Sequence, residues 1–206
     1  MMRTSRVLAA TAVMAAFTAT AVFAQAQNVR VRGTIEKIDD DLLTVKSRDG
    51  SDLKLKLKSD AAVRGIVKAS LADIKAGTGV GITSMPQADG SLKAVEVHIF
   101  PAGQRFNSFH GNWDLMPGST MTNGPVQISV ASVADQVLTV QYKAGDKIEE
   151  KKIAVTPQTI IVGYAAATKA DLKVGQRIFV ANAPKLADGT IEVVSISYGK
   201  DVPPPM

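Results

Sequence analysis

The chain has 206 residues, with 24 lysines and arginines, 19 aspartates and glutamates, and no cysteine. The lack of cysteine excludes disulfides, thiolate metal ligands and the lipid-modified cysteine of a lipoprotein. The formal net charge of +5 is modest, so charge alone does not indicate a protein that binds nucleic acid or a membrane surface.

The first 26 residues are expected to be a signal peptide. Arg3 and Arg6 precede an apolar run from Val7 to Ala24, and small residues at cleavage spacing predict cleavage near Ala24 or Ala26. The alternative is an uncleaved membrane anchor, because the run of about 18 residues is near the lower limit for spanning a bilayer. Its alanines and threonines make it a weak span, so we expect a soluble periplasmic or secreted protein with no membrane span. Without the leader, 22 basic and 19 acidic residues leave a net charge of +3.

The first part of the mature chain reads as β-strands. Residues 29–32 and 34–38 alternate between polar and apolar, and LKLKLK at 53–58 has a strict period of two. This period places leucines on one face of a strand and lysines on the other. Asp49-Gly50 lies between the second and third strands, where glycine readily supplies the positive φ of a tight turn.

A short helix and two more strands complete this unit. Ser70 is predicted to cap a helix of one or two turns, with Asp73 at the capping-box position and Gly77 after its end. The strands follow at 80–85 and 92–100. The resulting order, β-β-β-α-β-β, is that of a small five-stranded OB-type barrel.

A connector at 101–125 follows the first unit. Four of the eight aromatic residues outside the leader lie at its start or within it, whereas a flexible linker would be poor in aromatic residues. We therefore expect an ordered segment that packs between two domains, anchored by Phe100, Phe106, Phe109 and Trp113. If the segment binds a partner instead, Trp113 should be partly exposed.

The rest of the chain repeats the first unit. The shared patterns are LTV at 43–45 and 138–140, ADIK at 72–75 with ADLK at 170–173, and Asp-Gly at 89–90 and 188–189. This internal repeat predicts an all-β protein with one short helix per repeat. The predicted layout is a pair of tandem OB-like five-stranded barrels at 28–100 and 126–199, followed by a Pro-rich tail at 200–206.

A metal site is the sharper alternative for the connector. Its imidazole and thioether groups suit copper, and they come from His98, His110, Met116 and Met121, with Met85 as a further candidate. His98 alternates with Val97 and Ile99, so it should point away from the core of its own barrel, and its counterpart in the second repeat is Ser197. The competing interpretation is two surface histidines and core methionines, since the spacing of the methionines is no recognised ligand pattern.

Several of these patterns also occur together in one known family. They are GTIEKID from Gly33, LTVKSRDG from Leu43, the L-x-D-I/L-K-x-G turn, and WDLMPGSTMTN from Trp113. In these features the chain resembles bacterial secreted proteins built from a small OB-like β-domain of unknown function. Some relatives carry names borrowed from metal transport. The resemblance implies the fold and the exported location, and it transfers no catalytic residue.

The absence of common catalytic motifs indicates the class of function. A Gly-x-Ser-x-Gly elbow, a phosphate-binding glycine loop and His-Glu-x-x-His are all absent, and Asp39–Asp41 is interpreted as a turn. We therefore expect a non-enzymatic periplasmic binding or scaffold protein without a cofactor, whose partner is an envelope protein or a small ligand. One alternative is a periplasmic copper-binding protein. An oligonucleotide-binding module is least favoured, because no stacking aromatic accompanies the lysines of 53–58.

Overall fold

The computed structural model of the chain describes residues 27–128, 136–200 and 202. As predicted, these residues are nearly all-β. Two 3-10 turns lie at Leu71–Asp73 and Lys169–Asp171. The strands are β1 (Gln27–Asp39), β2 (Leu42–Ser47), β3 (Asp52–Lys68), β4 (Gly79–Pro86), β5 (Leu92–Ile99), β6 (Phe109–Asn112), β7 (Thr120–Ile128), β8 (Gln136–Ala144), β9 (Lys147–Val155), β10 (Ile160–Ala167), β11 (Arg177–Lys185) and β12 (Ile191–Gly199).

Five strands close a barrel that we call the first ring: β1, β2, β3, β12 and β11. Four of the neighbouring pairs are antiparallel, and the parallel pairing of β3 with β12 closes the circle. Alternate side chains point inward, as the period of two requires. They form an apolar interior that includes Val31, Ile35, Leu43, Leu55, Ile178 and Ile196.

Five other strands form the second ring: β4, β5, β9, β8 and β7. The antiparallel pairs are β4 with β5 and β7, and β8 with β7 and β9. A short parallel pairing of β5 with β9, at Leu92–Ile153 and Lys93–Ala154, completes the ring. Its interior is a separate apolar cluster that includes Val80, Ile82, Val97, Val126, Val140 and Ile153.

The two rings are nested along the chain. All strands of the second ring lie in one continuous stretch, 79–155, whereas the first ring combines β1–β3 from before this stretch with β11 and β12 from after it. The predicted tandem arrangement, in which each repeat closes its own barrel, is therefore not confirmed. The domain boundaries at 28–100 and 126–199 stay a prediction from the sequence repeat, and each ring takes strands from both of these halves.

β10 joins the two rings into one continuous sheet. β3 has 17 residues, and its second half, Val63–Lys68, pairs antiparallel with β10. β10 in turn pairs parallel with β5 of the second ring, at residues 160–162 and 96–98. The outward faces of β3, β10 and β5 are therefore adjacent in one sheet. This surface forms most of the candidate functional site.

Local structure follows the sequence patterns closely. Along 53–58 of β3 the leucines are buried or half-buried and the lysines are exposed, as the alternation predicts. Gly50, Gly90 and Gly189 have positive φ angles in their turns. Short-range patterns of polarity and glycine therefore place strands and turns correctly.

The predicted helices are much shorter than expected. Both the backbone N–H and the hydroxyl of Ser70 donate to the Asp73 carboxylate at 2.8 Å, so the predicted capping box forms. It caps a 3-10 turn of three residues, where one or two helical turns were predicted. The next residue, Ile74, is already buried in the second ring. This early return to the core leaves no room for a longer helix.

Some predictions fall on residues that the structure does not describe. The signal peptide at 1–26 lies outside the described residues, as does most of the tail at 200–206. Among the helices of the described part, none is long and apolar enough to cross a membrane.

Candidate functional site

A cleft of about 430 Å³ lies between the two rings and is the centre of the candidate site. Its walls come from β3, β11 and β12 of the first ring, from β5 and β7 of the second, and from β10 and the connector. Four aromatic side chains line it: Phe100, Trp113, Tyr164 and Phe179. Its polar lining is formed by Arg64, His98, Gln104, Asn123, Asn182, Ser195 and Ser197. Apolar walls with a few convergent polar groups are typical of small-molecule sites.

The strand register explains why polar side chains collect here. Cross-strand partners point to the same face of a sheet. His98 pairs with Gly81, and Gly81 pairs with Asn123, so both side chains face outward from the second ring on either side of a glycine. Phe179 and Arg64 pair in the same way with Ser197 on the first ring. The cleft thus collects side chains that both apolar interiors exclude.

Glu96 and His98 form a buried pair in the wall of the cleft. Only 5% of Glu96 and 6% of His98 is exposed, and His98 Nδ1 lies 3.1 Å from Glu96 Oε1. This contact fixes the orientation of the imidazole ring, because the hydrogen bond made by one ring nitrogen determines the tautomer. Nε2 forms no hydrogen bond within the described residues. His98 lines the cleft, so this nitrogen is available for a hydrogen bond to a ligand there.

Gly81 makes room for this arrangement. A Cβ atom at Gly81 would lie 2.6 Å from His98 Cδ2 and 2.8 Å from Asn123 Oδ1. The missing side chain lets the imidazole and the amide approach the same strand. Asn123 Oδ1 is buried and has no hydrogen-bond partner among the described residues. Since buried polar atoms are normally satisfied, this oxygen marks a place where a further donor would be favourable.

Tyr164 stands beside the same pair. Burial, and secondarily the Glu96 carboxylate, raise the pKa of Tyr164 to about 12. Its ring is nearly parallel to that of Phe100, with 6.5 Å between the centroids. Phe100 is stacked in turn on Phe106, with 4.8 Å between centroids. Phe100 and Phe106 therefore extend the aromatic wall to which Tyr164 of β10 belongs.

Arg64 gives the opposite wall its charge. Its Nη1 donates to Ser195 Oγ at 2.9 Å, and it forms no ion pair with any described carboxylate. The guanidinium group of arginine stays positively charged in proteins. The cleft therefore contains a permanent positive charge with unused donors.

Trp113 closes one side of the cleft against the first ring. The guanidinium of Arg30 lies 3.8 Å from the Trp113 ring centroid, and that of Arg32 lies 5.6 Å away. On the other side, the ring of Phe109 lies 6.5 Å from Trp113. Trp113 is half-buried. A packing anchor was expected to be buried and a partner-binding residue partly exposed, so the choice between these two roles stays a prediction.

The residue after Trp113 fastens the connector to the first ring. Asp114 forms ion pairs with Arg30 at 2.8 Å and with Arg32 at 2.7 Å, and its backbone oxygen accepts a bond from Arg48 at 2.8 Å. Arg32 is only 5% exposed, and burial lowers its pKa although Asp114 acts in the opposite direction. These contacts span more than 60 positions in the sequence and hold the aromatic segment in place.

The proposed copper ligands do not all lie together. His98 and Met121 line the cleft, whereas His110 and Met116 do not. The next residue after Met121, Thr122, faces the other way, and His110 Nδ1 is 2.8 Å from its hydroxyl. Burial lowers the pKa of His110. Met116 is 38% exposed, and no described group of three or more His, Asp or Glu side chains could hold a metal ion.

Sequence reasoning missed several residues of the cleft, including Arg64, Asn123, Tyr164 and Phe179. Arg64 and Tyr164 each interrupt an apolar run, in AAVRGIV and IIVGYAAA, and such an interruption was the available signal. The repeat offered another signal, because Ser197 is the counterpart of His98 and both line the cleft.

Comparisons of the chain with known protein families, with curated proteins and with solved structures find no match. The resemblance to secreted OB-like proteins therefore stays a prediction.

Proposed function

We propose that this is a non-enzymatic binding protein that holds a small organic ligand in the cleft between two OB-like barrels. The observation that carries this proposal is the cleft itself, whose lining combines four aromatic side chains with His98 and Arg64. His98 Nε2 and the Arg64 guanidinium both have unused hydrogen-bonding capacity. Sites of this kind bind small molecules by apolar contact and orient them with a few polar groups. The OB-like assignment is supported by the strand pairing, in which the first ring closes through parallel strands and its other pairs are antiparallel.

A ligand library tests the proposal directly. The purified protein would be mixed with pools of small metabolites, and bound species would be detected by native mass spectrometry and by an increase in melting temperature. We expect at least one compound to bind, and Ala181→Phe to weaken its binding strongly, because Ala181 lines the cleft and a phenyl ring would occupy part of the space that a ligand needs.

The control is Ala187→Phe, at an exposed position in the turn after β11 that does not line the cleft. It should bind as the unmodified protein does. Equal binding by the Ala181 variant would place the ligand elsewhere. A failure of every pool to bind would contradict the small-ligand function and favour the scaffold role.

We propose a periplasmic or secreted location, supported by the N-terminal basic and apolar pattern. Expression of the full chain in a bacterium, followed by cell fractionation and N-terminal sequencing, tests this. A mature N-terminus after Ala24 or Ala26 is the expected result. An intact Met1 on cytoplasmic protein would contradict it.

Copper binding is the second candidate, because His98 and Met121 share the cleft. Titration with Cu(I) under reducing conditions should then give tight binding that His98→Ala removes. His110→Ala is the matched control, since His110 is bonded to Thr122 outside the cleft. Equal loss of binding in both histidine variants, or no loss in either, would contradict a site built on His98.

A further inference from the structure

The charge of the cleft narrows the class of ligand, on the premise that the proposed function is correct. The described residues that line the cleft include Arg64 and no aspartate or glutamate. The nearest buried carboxylate, Glu96, stands behind His98 and is engaged by its Nδ1. A ligand in the cleft would therefore face a guanidinium and the Nε2 edge of an imidazole.

Arg64 is equipped to bind an oxyanion. A guanidinium has five N–H donors in a planar fork, and the only side-chain hydrogen bond of Arg64 within the described residues is the one to Ser195 Oγ. The remaining donors match the spacing of two oxygens on a carboxylate or a phosphate. A carboxylate or phosphate would also compensate the positive charge of Arg64, which forms no ion pair within the described residues.

The rest of the lining fits a planar apolar body. Phe100 and Tyr164 present nearly parallel rings, and Trp113 and Phe179 lie on the side of the first ring. Aromatic walls favour flat ligands that can stack on them. The volume of about 430 Å³ lies towards the small end of ligand sites.

From these observations we infer that the ligand is a small aromatic oxyanion, with its ring against the aromatic wall and its carboxylate or phosphate on Arg64. The two anionic groups share the same recognition chemistry at the guanidinium. An amine of the same size would instead meet a like charge in a partly dehydrated site, and a neutral amide would leave the charge of Arg64 unpaired.

A matched series of probes tests this inference. Phenylacetate, phenylacetamide, 2-phenylethylamine, cyclohexylacetate and phenyl phosphate would be titrated into the protein, with Trp113 fluorescence as the signal, because Trp113 is the only tryptophan and lines the cleft. We expect phenylacetate to bind at least about tenfold more tightly than phenylacetamide. Cyclohexylacetate should bind more weakly than phenylacetate, and phenyl phosphate shows which anionic group is preferred.

Arginine variants connect the preference to one residue. Arg64→Gln should remove the difference between the acid and the amide, and Arg64→Lys should keep part of it, because lysine preserves the charge without the fork. Arg105→Gln is the control, since Arg105 is an exposed connector residue outside the cleft lining. A thermal melt of each variant confirms that it folds.

The outcomes separate this inference from the proposed function. Equal affinity for acid and amide overturns the oxyanion and leaves the binding function in place. An equal loss in the Arg64→Gln and Arg105→Gln variants attributes the preference to overall charge and also overturns it. If no probe gives a saturable signal, the aromatic oxyanion is rejected, and the ligand library decides separately whether the cleft binds anything.

Discussion

Trp113 is held by charges rather than by an apolar pocket. The guanidinium of Arg30 covers one face of the indole at 3.8 Å, Phe109 lies near it, and the side chain remains half-buried. Cation–π contacts of this kind contribute about 0.5–2 kcal/mol. The residue therefore contributes both to the wall of the cleft and to the attachment of the connector.

Replacing Trp113 by alanine should lower the free energy of unfolding by about 2 kcal/mol, less than the about 3–5 kcal/mol for a fully buried tryptophan. Urea unfolding followed by circular dichroism measures this, because the fluorescent residue is lost. Met116→Ala, at an exposed position of the same segment, should stay within about 0.5 kcal/mol of the original protein. Equal stability of both variants would mean that Trp113 has no structural role.

The raised pKa of Tyr164 predicts a loss of stability at high pH. Its pKa in the folded protein is raised to about 12, against about 10 for an exposed tyrosine. Between these values the unfolded chain releases the phenolic proton and the folded protein retains it. The contribution of Tyr164 is therefore fully present below about pH 10 and falls as the pH rises towards 12.

The comparison protein for this prediction is Tyr164→Phe, which cannot ionise at this position. Its stability should fall less steeply over the same range of pH, as measured by urea unfolding at a series of alkaline pH values. Parallel curves for the two proteins would show that Tyr164 ionises as an exposed tyrosine does.

At the level of single residues, the sequence predicted on which face of a strand a side chain lies, but not which distant residues it contacts. Alternation with Val97 and Ile99 placed His98 on the outer face, where the structure has it lining the cleft. The contact of Trp113 with Arg30 could not be predicted, since it joins residues 83 positions apart through no local pattern. The same holds for Arg64, whose place in the cleft depends on the pairing of β3 with β12.

One strand of each ring carries a glycine against its neighbour. A Cβ atom at Gly33 of β1 would collide with the backbone oxygen of Lys46 on β2, and one at Gly124 of β7 would collide with that of Gln141 on β8. A backbone oxygen cannot move aside as a flexible side chain can. Each ring therefore brings two strands together at a position that only glycine can occupy without displacing the backbone.

Gly124→Ala should consequently lower the free energy of unfolding by about 2–3 kcal/mol, since overpacking against backbone forces the strands apart. Gly163→Ala on β10 is the matched control, because its Cβ atom would meet only Ala69 Cβ at an ordinary 3.8 Å. Chemical unfolding of both variants gives the comparison. If the Gly124 variant were as stable as the Gly163 variant, the strands would have to separate more easily than this geometry implies.

The 3-10 turns show where element-level prediction lost accuracy. The capping residues Ser70 and Asp73 were placed correctly, and the same pair recurs as Thr168 and Asp171. The length was wrong because a helix gains little before its first full turn is complete, while the burial of Ile74 takes effect at once. Capping patterns indicate where a turn starts and do not determine how far it continues.

For the molecule as a whole, the nested rings predict which fragments fold. A fragment of residues 69–159 contains every strand of the second ring, together with Ile74 of its core. It should show β-sheet circular dichroism and a cooperative thermal transition. The fragments 28–100 and 126–199 follow the sequence repeat but each contains strands of both rings, so they should lack such a transition. A cooperative transition in 28–100 would show that β4 and β5 can replace β11 and β12.

The sequence could not decide between these two arrangements. The repeats share their turn and strand patterns, as in ADIK at 72–75 and ADLK at 170–173. By sequence pattern, the last two strands of either repeat could therefore pair with the first three strands of either repeat. Local polarity specifies that β4 and β5 are strands with one apolar face, and the choice of ring depends on side-chain fit across distant strands, such as Val31 beside Val180.

The nested order also has a consequence for the export that we propose. The chain emerges from its N-terminus, so β1–β3 appear first and must wait for β12, which begins only at Ile191. The stretch from 79 to 155 emerges in between and can close its ring while the earlier strands still have unpaired edges. Pairing across such long separations is slow. A chain that has emerged only as far as residue 190 can thus complete the second ring. The first ring, whose strands begin to emerge earlier, is always completed last.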